Sequence, residues 1–211
     1  PAGGHFSTST KGKPSPGRGV DAGRPLIVSF WGSLGAAAMN RQTAEFLALE
    51  ARDDCPFHHI HAAGVMGSRQ MAEQLAGAGV DLDRTPDLEV REYIHDMGTV
   101  MRSADLVICR AGASTISELT ALGVPAIIVP SPNVTHNHQE HNARVLSHAG
   151  GAVLILGKDS SGQRLYDAAQ AILSDDSRRQ AMSAAMASLG TIDAAEKTYG
   201  AVMSLRRRGG K

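Results

Sequence analysis

Aromatic residues are scarce, at 4% of 211. A chain with 42% hydrophobic residues must therefore build its core from Ala, Val, Ile, Leu and Met. There are only two cysteines, Cys55 and Cys109. Each borders an apolar run and nothing favours pairing them, so both read as reduced thiols in a cytosolic protein. Charge of one sign is also missing: 21 Lys and Arg balance 21 Asp and Glu. That removes the basic excess of a duplex-binding domain, and no nucleic-acid partner is expected. No apolar run approaches the roughly 18 residues of a membrane span. The N-terminus lacks the apolar core of a secretory signal. It begins with Pro1 rather than Met, which hints at a piece of something longer.

Residues 1–24 are rich in Gly, Pro, Ser and Lys/Arg. Such composition cannot bury enough apolar surface to order itself, so a disordered linker or arm is expected there. From Pro25 onward the pattern is regular, and residues 25–211 read as one domain. Strands are predicted over 25–30, 57–64, 88–94, 105–109, 125–130 and 152–156. Helices are predicted over 36–51, 68–79, 96–104, 114–123 and 137–150, then over 161–174, 176–189 and 193–207. Asp96 is a plausible cap for the third helix.

Short, continuously apolar strands alternating with helices indicate an α/β, doubly wound, six-stranded parallel sheet of Rossmann-like type. Right-handed crossovers leave few arrangements, and the simplest order is 3-2-1-4-5-6. Ligands of such sheets sit beyond the strand carboxyl ends where the order reverses, between the first and fourth strands. The turns there are "WGSLGA" and "RAGAST". Both are rich in small residues, and both are expected at the crevice.

The turn Gly32-Ser33-Leu34-Gly35 can present backbone amides and a helix N-terminus to a phosphate. It is neither a Walker loop nor a G-x-G-x-x-G fingerprint, and a tight turn without ligand fits the spacing equally. Thr115-Ile116-Ser117-Glu118 fits two readings. As S/T-x-x-E it is a capping box. Alternatively, Gly112, Ala113 and Ser114 leave room for a diphosphate, and Glu118 accepts hydrogen bonds from two ribose hydroxyls. The stretch "HNHQEHNA" (136–143) invites a metal reading. His138 and His141 have no second ligand pair elsewhere at a telling spacing, so no metal is expected. Gln139 and Asn142 instead suit the reading of sugar hydroxyls. His59 and His61 share one strand face and are assigned no role. Arg206, Arg207 and Arg208 read as a solvated tail, with attraction to an anionic membrane surface as the alternative.

In order and interval, "FWGSLGA", "REYIHDM", "ADLVICRAGASTISELTALGVPAIIVPSP" and "NHQEHNARVL" resemble the donor-binding half of the MurG family. These are N-acetylglucosaminyl transferases of peptidoglycan synthesis. The resemblance covers roughly residues 25–205 and implies one half of a GT-B glycosyltransferase, an inverting hexosyltransferase. It implies transfer of GlcNAc from UDP-GlcNAc to undecaprenyl-diphospho-MurNAc-pentapeptide, converting lipid I to lipid II at the inner face of the cell membrane. No cofactor is implied. Carried over, Ser33 and Gly35 would meet the donor near its diphosphate, and Ile94 would meet uracil through its backbone. Arg110 and the turn residues Ala113, Ser114, Thr115, Ile116 and Ser117 would line the donor site. Glu118 would bind ribose, and Gln139 the sugar, with His138 and Asn142 as neighbours.

The family's N-terminal, acceptor-binding domain has no counterpart in residues 1–24. The base that activates the acceptor is therefore expected outside this chain, and no catalytic residue is assigned within it. Neither Arg18 nor Arg24 has the flanks of the basic residue the family carries before the first strand. By itself the chain is expected to bind donor with little or no turnover. Two other readings remain: an isomerase like the UDP-GlcNAc 2-epimerases, and a non-catalytic UDP-sugar-binding or interaction domain.

Overall fold

A computed structural model describes residues 23–32, 36–132, 134 and 137–190. Residues 1–22 of the arm expected over 1–24, Ser33 and Gly35, the helix expected over 193–207 and the arginines at 206–208 lie outside the described residues.

Six strands alternate with helices: β1 (Leu26–Phe30), α1 (Ala37–Arg52), β2 (His58–Ala62), α2 (Val65–Gly77), β3 (Leu88–Arg91), α3 (Met97–Ser103), β4 (Leu106–Cys109), α4 (Ala113–Leu122), β5 (Ala126–Ile128), α5 (His138–His148), β6 (Ala152–Leu154), α6 (Gly162–Leu173) and α7 (Asp176–Ser188). All five strand pairings are parallel, and the order is β3-β2-β1-β4-β5-β6, as the sequence predicts. A short 3-10 turn at Gly157–Asp159 was not anticipated.

The strands are apolar throughout because both sheet faces are covered. Ile27, Leu106, Ile108 and Ile127 pack beneath α1 and α6, against Phe46, Leu165 and Ile172. Their neighbours Val28, Val107, Cys109 and Ile128 face the opposite layer, against Met101 of α3, Leu119 of α4 and Leu146 of α5. A third cluster joins α1 to α2 through Leu47, Met71 and Leu75. Both thiols are free and buried. Burial alone pushes that of Cys109 up to about 12.

Several boundaries differ from the sequence reading. Helix α2 begins at Val65 rather than Ser68, because Gly64 turns the chain at φ 77° directly after β2. Strand β3 stops at Arg91, so Ile94 lies in a loop and not a strand. Helix α4 begins at Ala113, one residue earlier than expected, and is closed after Leu122 by Gly123, whose left-handed φ of 65° favours glycine. Asp96 does precede α3, but its side chain makes no capping hydrogen bond.

The two edges of the sheet differ in character. At the strand amino ends, Asp105 Oδ2 accepts from the Leu26 amide at 2.9 Å, and Arg24 donates to Asp87 at 2.6 Å. Arg24 is thus committed to an ion pair at the edge away from the strand carboxyl ends. Those carboxyl ends, left open, form the crevice.

Candidate functional site

A cleft of about 360 Å³ opens where β1 and β4 diverge. Its wall is Phe30, Trp31, Gly32 and Ala36 after β1, and Arg110, Gly112, Ser114 and Thr115 after β4. Ser131, after β5, and Gln139, in the first turn of α5, close the far side. Both small-residue turns therefore converge, as their place at the switch point predicts.

Two helices aim bare N-termini at this cleft. In α1 the first backbone hydrogen bond runs from Asn40 N–H to Ala36 O at 2.8 Å, and no side chain caps the start. In α4 it runs from Ile116 N–H to Gly112 O at 3.0 Å, again with no side-chain cap. The amides ahead of those bonds are the orphan donors of each helix. Helices α2, α3 and α5 also start without a side-chain cap, whereas α6 and α7 are capped by Ser161 and Asp175, whose side chains accept from the amides of Arg164 and Arg178. What sets α1 and α4 apart is that their N-cap residues, Ala36 and Gly112, line the cleft. Uncapped ends at a cleft suit an anion, which satisfies the donors and the partial positive charge together.

Arg110 adds a full charge. Its Nη1 donates to the Val129 and Pro130 carbonyls at 3.2 and 2.9 Å, and its guanidinium stands 5.9 Å from the Trp31 ring. Burial lowers its pKa from the usual arginine value. Among the described residues it has no carboxylate partner. Trp31 is fixed beneath it by Nε1 donating to Thr43 Oγ1 at 3.0 Å. The lining contains no Asp, Glu, Lys or Cys and no His among the described residues. An unbalanced cation and two bare helix ends thus face a cavity without an acid.

Of the other expected site residues, Ile94, Ala113, Ile116, Ser117, Glu118, His138 and Asn142 are not part of the cleft lining. Glu118 is exposed on α4, one turn in, and its carboxylate bonds to no other described residue. The capping-box alternative is thereby overturned: the helix starts two residues before Thr115, so Thr115 and Glu118 are interior positions. Ser117 Oγ donates back to Ala113 O at 3.0 Å, and Ala113 is exposed. Ile116 packs half-buried on the lower core. Ile94 is buried, yet its backbone makes no hydrogen bond among the described residues. Gln139 Oε1 accepts from the Ser131 amide at 2.9 Å, which fixes its side chain at the rim. Asn142 Nδ2 reaches Ala111 O at 3.4 Å and ties α5 to the β4–α4 turn. His138 is exposed at the start of α5. Among the described residues no three His, Cys, Asp or Glu side chains form a metal-holding group.

Trp31 and Ser131 were missed at the sequence level. The one available signal was that the only Trp directly precedes the Gly32 turn. A wider groove of about 470 Å³ crosses α1, α2 and α6, lined by Arg41, Glu45, Arg52, Gln74 and Gln163 among others. Its mixed charges lie on helix surfaces away from the strand ends, so size alone does not make it the site.

Residues 26–198 match the family described as glycosyltransferase family 28 C-terminal domain. A curated UDP-N-acetylglucosamine--N-acetylmuramyl-(pentapeptide) pyrophosphoryl-undecaprenol N-acetylglucosamine transferase of Acetivibrio thermocellus is 40% identical over 181 residues, 86% of this chain and 47% of that protein. The protein of the same name from Desulforudis audaxviator is 40% identical over 185 residues, 87% of this chain and 49% of its own. The chain spans about half the length of the curated relatives it matches. The crystal structure of Acinetobacter baumannii MurG superposes with a TM-score of 0.75 at 24% identity, covering 92% of this chain and 55% of that one. A putative UDP-N-acetylglucosamine 2-epimerase from Listeria monocytogenes gives 0.63 at 17% identity, covering 88% of this chain and 46% of that one. At those identities the likeness shows the fold alone.

Proposed function

This chain belongs to the glycosyltransferase family 28 C-terminal domains, and on that premise we propose that it is the donor-binding half of a peptidoglycan N-acetylglucosaminyl transferase. The reaction is transfer of GlcNAc from UDP-GlcNAc to undecaprenyl-diphospho-MurNAc-pentapeptide. Residues 25–211 form the UDP-sugar-binding domain. The observation that carries this reading is the acid-free cleft into which two uncapped helix N-termini and Arg110 converge.

Each donor group finds a matching element. The diphosphate lies across the orphan amides of α1 and α4, with Arg110 offsetting charge that grows on the departing UDP. The family resemblance assigns Ser33 and Gly35, which lie in sequence between β1 and α1, to the same diphosphate, and Ala113, Ser114, Thr115, Ile116 and Ser117 carry the α4 amides. Glu118, exposed and unengaged, accepts from the ribose hydroxyls. The unpaired backbone of Ile94 meets the uracil edge. Gln139, held at the rim by Ser131, takes the sugar, with His138 and Asn142 beside it.

Inverting transfer needs the acceptor hydroxyl deprotonated and aligned on the anomeric carbon. No described cleft residue is a base, which supports a base supplied from beyond the cleft by an acceptor-binding partner domain. The acceptor's lipid tail places the work at the inner face of the cell membrane, in cell-wall growth and division. No described helix is long and apolar enough to cross a membrane, which suits peripheral attachment.

Calorimetric titration of the 211-residue chain with UDP-GlcNAc tests the reading, followed by assay with a lipid I analogue. Donor binding without appreciable transfer is expected. Release of UDP-ManNAc points to the epimerase-like isomerase instead, and failure to bind any UDP-sugar to an interaction domain.

A further inference from the structure

We propose that Asn40 is a positioning residue for the first turn of α1, whose amides face the donor cleft, held in one orientation by a buried hydrogen-bond relay through His61, Ser29, His59 and Glu50. The inference rests on the donor-site reading above and explains the histidines that sequence analysis left without a role.

Five polar side chains line up between α1 and the sheet, none more than 6% exposed. Glu50 Oε2 lies 2.7 Å from His59 Nδ1. His59 Nε2 and His61 Nδ1 each lie 2.7 Å from Ser29 Oγ. His61 Nε2 lies 3.3 Å from Asn40 Oδ1, and Asn40 Nδ2 donates to Ala63 O at 2.8 Å. Burying such groups is costly unless each is satisfied.

The order of protons follows from one end. Ala63 O accepts only, so Asn40 must turn Nδ2 toward it and offer Oδ1 to His61. His61 then donates from Nε2, and as a neutral ring it accepts at Nδ1 from the Ser29 hydroxyl. Ser29 in turn accepts from His59 Nε2–H. A single remaining proton is shared between His59 Nδ1 and Glu50 Oε2. Burial raises the Glu50 pKa, and its Oε1 has no partner, both in keeping with a relay that carries no net charge.

The fixed end of this relay is next to the cleft. Asn40 N–H closes the first turn of α1 on Ala36 O, and Ala36 lines the cleft. The same residue's side chain grips the exit of β2. A Cβ at Gly67 of α2 would fall 2.1 Å from Asn40 Nδ2, so glycine is what lets α2 come this close. Asn40 therefore sets where the orphan amides of residues 37–39 stand relative to β1 and β2. An apolar residue of similar volume would fill the space without fixing that register.

The test uses the 211-residue chain and compares UDP with uridine, which lacks the diphosphate. In Asn40→Leu and in Gly67→Ala, UDP affinity falls at least tenfold while uridine affinity stays within twofold. A merely structural defect would weaken both ligands alike. Folded variants that bind UDP as the wild type does, or that lose UDP and uridine equally, overturn the proposal. If Asn40→Leu does not fold, Gly67→Ala and Ser29→Ala carry the comparison. Hydrogen exchange of the Asn40 amide gives a ligand-free reading: it speeds at least tenfold in Gly67→Ala, and unchanged exchange overturns the positioning role. Should the wild type bind neither UDP nor uridine, the donor-site reading falls by itself, and amide exchange still decides the relay.

Discussion

Glu118 separates binding from stability. It is exposed, bonds to no other described residue, and lies one turn inside α4. Substitutions at such positions change stability by no more than about 0.5 kcal/mol. Hydrogen bonds to a charged group contribute about 1.5–3 kcal/mol, and each 1.4 kcal/mol is tenfold in affinity. Glu118→Ala is therefore expected to weaken UDP binding roughly 10- to 100-fold with an unchanged melting temperature. Titration and a thermal melt on the same sample check it. Unchanged affinity removes Glu118 from the ribose. The sequence could place this acid one turn into a helix. It could not say whether the carboxylate turned back to cap that helix, because the capping-box reading puts the N-cap at Thr115 and the structure puts it three residues earlier, at Gly112.

At the scale of the element, the helix starts differ in what they face. Helices α6 and α7 carry Ser161 and Asp175 as side-chain caps, whereas α1 to α5 start without one, and of these α1 and α4 open on the cleft through Ala36 and Gly112. Replacing a cap by Ala typically costs about 0.5–2 kcal/mol, so the two bare ends forgo a comparable amount. Gly112, the N-cap position of α4, has ordinary extended geometry at φ −68° and ψ 144°. A Cβ there meets only Thr115 Oγ1, at 3.8 Å. Gly112→Asp can thus cap α4 without clash while placing a carboxylate where the diphosphate is proposed to lie. A higher melting temperature together with lost UDP binding is expected, a trade of function for stability. A stabilised variant that still binds UDP would refute the anion role of this helix end.

At the scale of the whole molecule, the buried relay makes stability depend on pH. Unfolded His61 takes a proton near 6.5, whereas burial and then the neighbouring His59 hold the folded ring down to about 3. Between those values the unfolded chain binds more protons, so stability falls as pH drops below about 6.5. Glu50 works in the opposite sense: burial raises its pKa, so its contribution weakens as pH rises above about 4.5. Between pH 7 and 5 the wild type should therefore lose stability relative to His61→Gln, as denaturant midpoints at pH 7, 6 and 5 would show. Each unit of pH inside the window accounts for at most about 1.4 kcal/mol per group. A parallel pH dependence in the two proteins would show that His61 makes no such contribution.

By itself the sequence determined the parallel sheet, its strand order and the place of the crevice. Continuous apolar strands need cover on both faces, and right-handed crossovers then leave few arrangements. It also brought the Gly32 and Gly112 turns to one point, since both follow strands on either side of the switch. Only the tertiary structure decided that Arg110 stands over Trp31 without an acid, and that Arg24 is committed to Asp87 at the far edge. The same holds for His59 and His61. Alternation along β2 puts them on one face. What stands opposite depends on how α1 is docked, and residues 9 and 21 positions away along the chain supply Glu50 and Asn40. Periodicity fixes the direction of a side chain, whereas its partner is chosen by packing between elements distant in sequence.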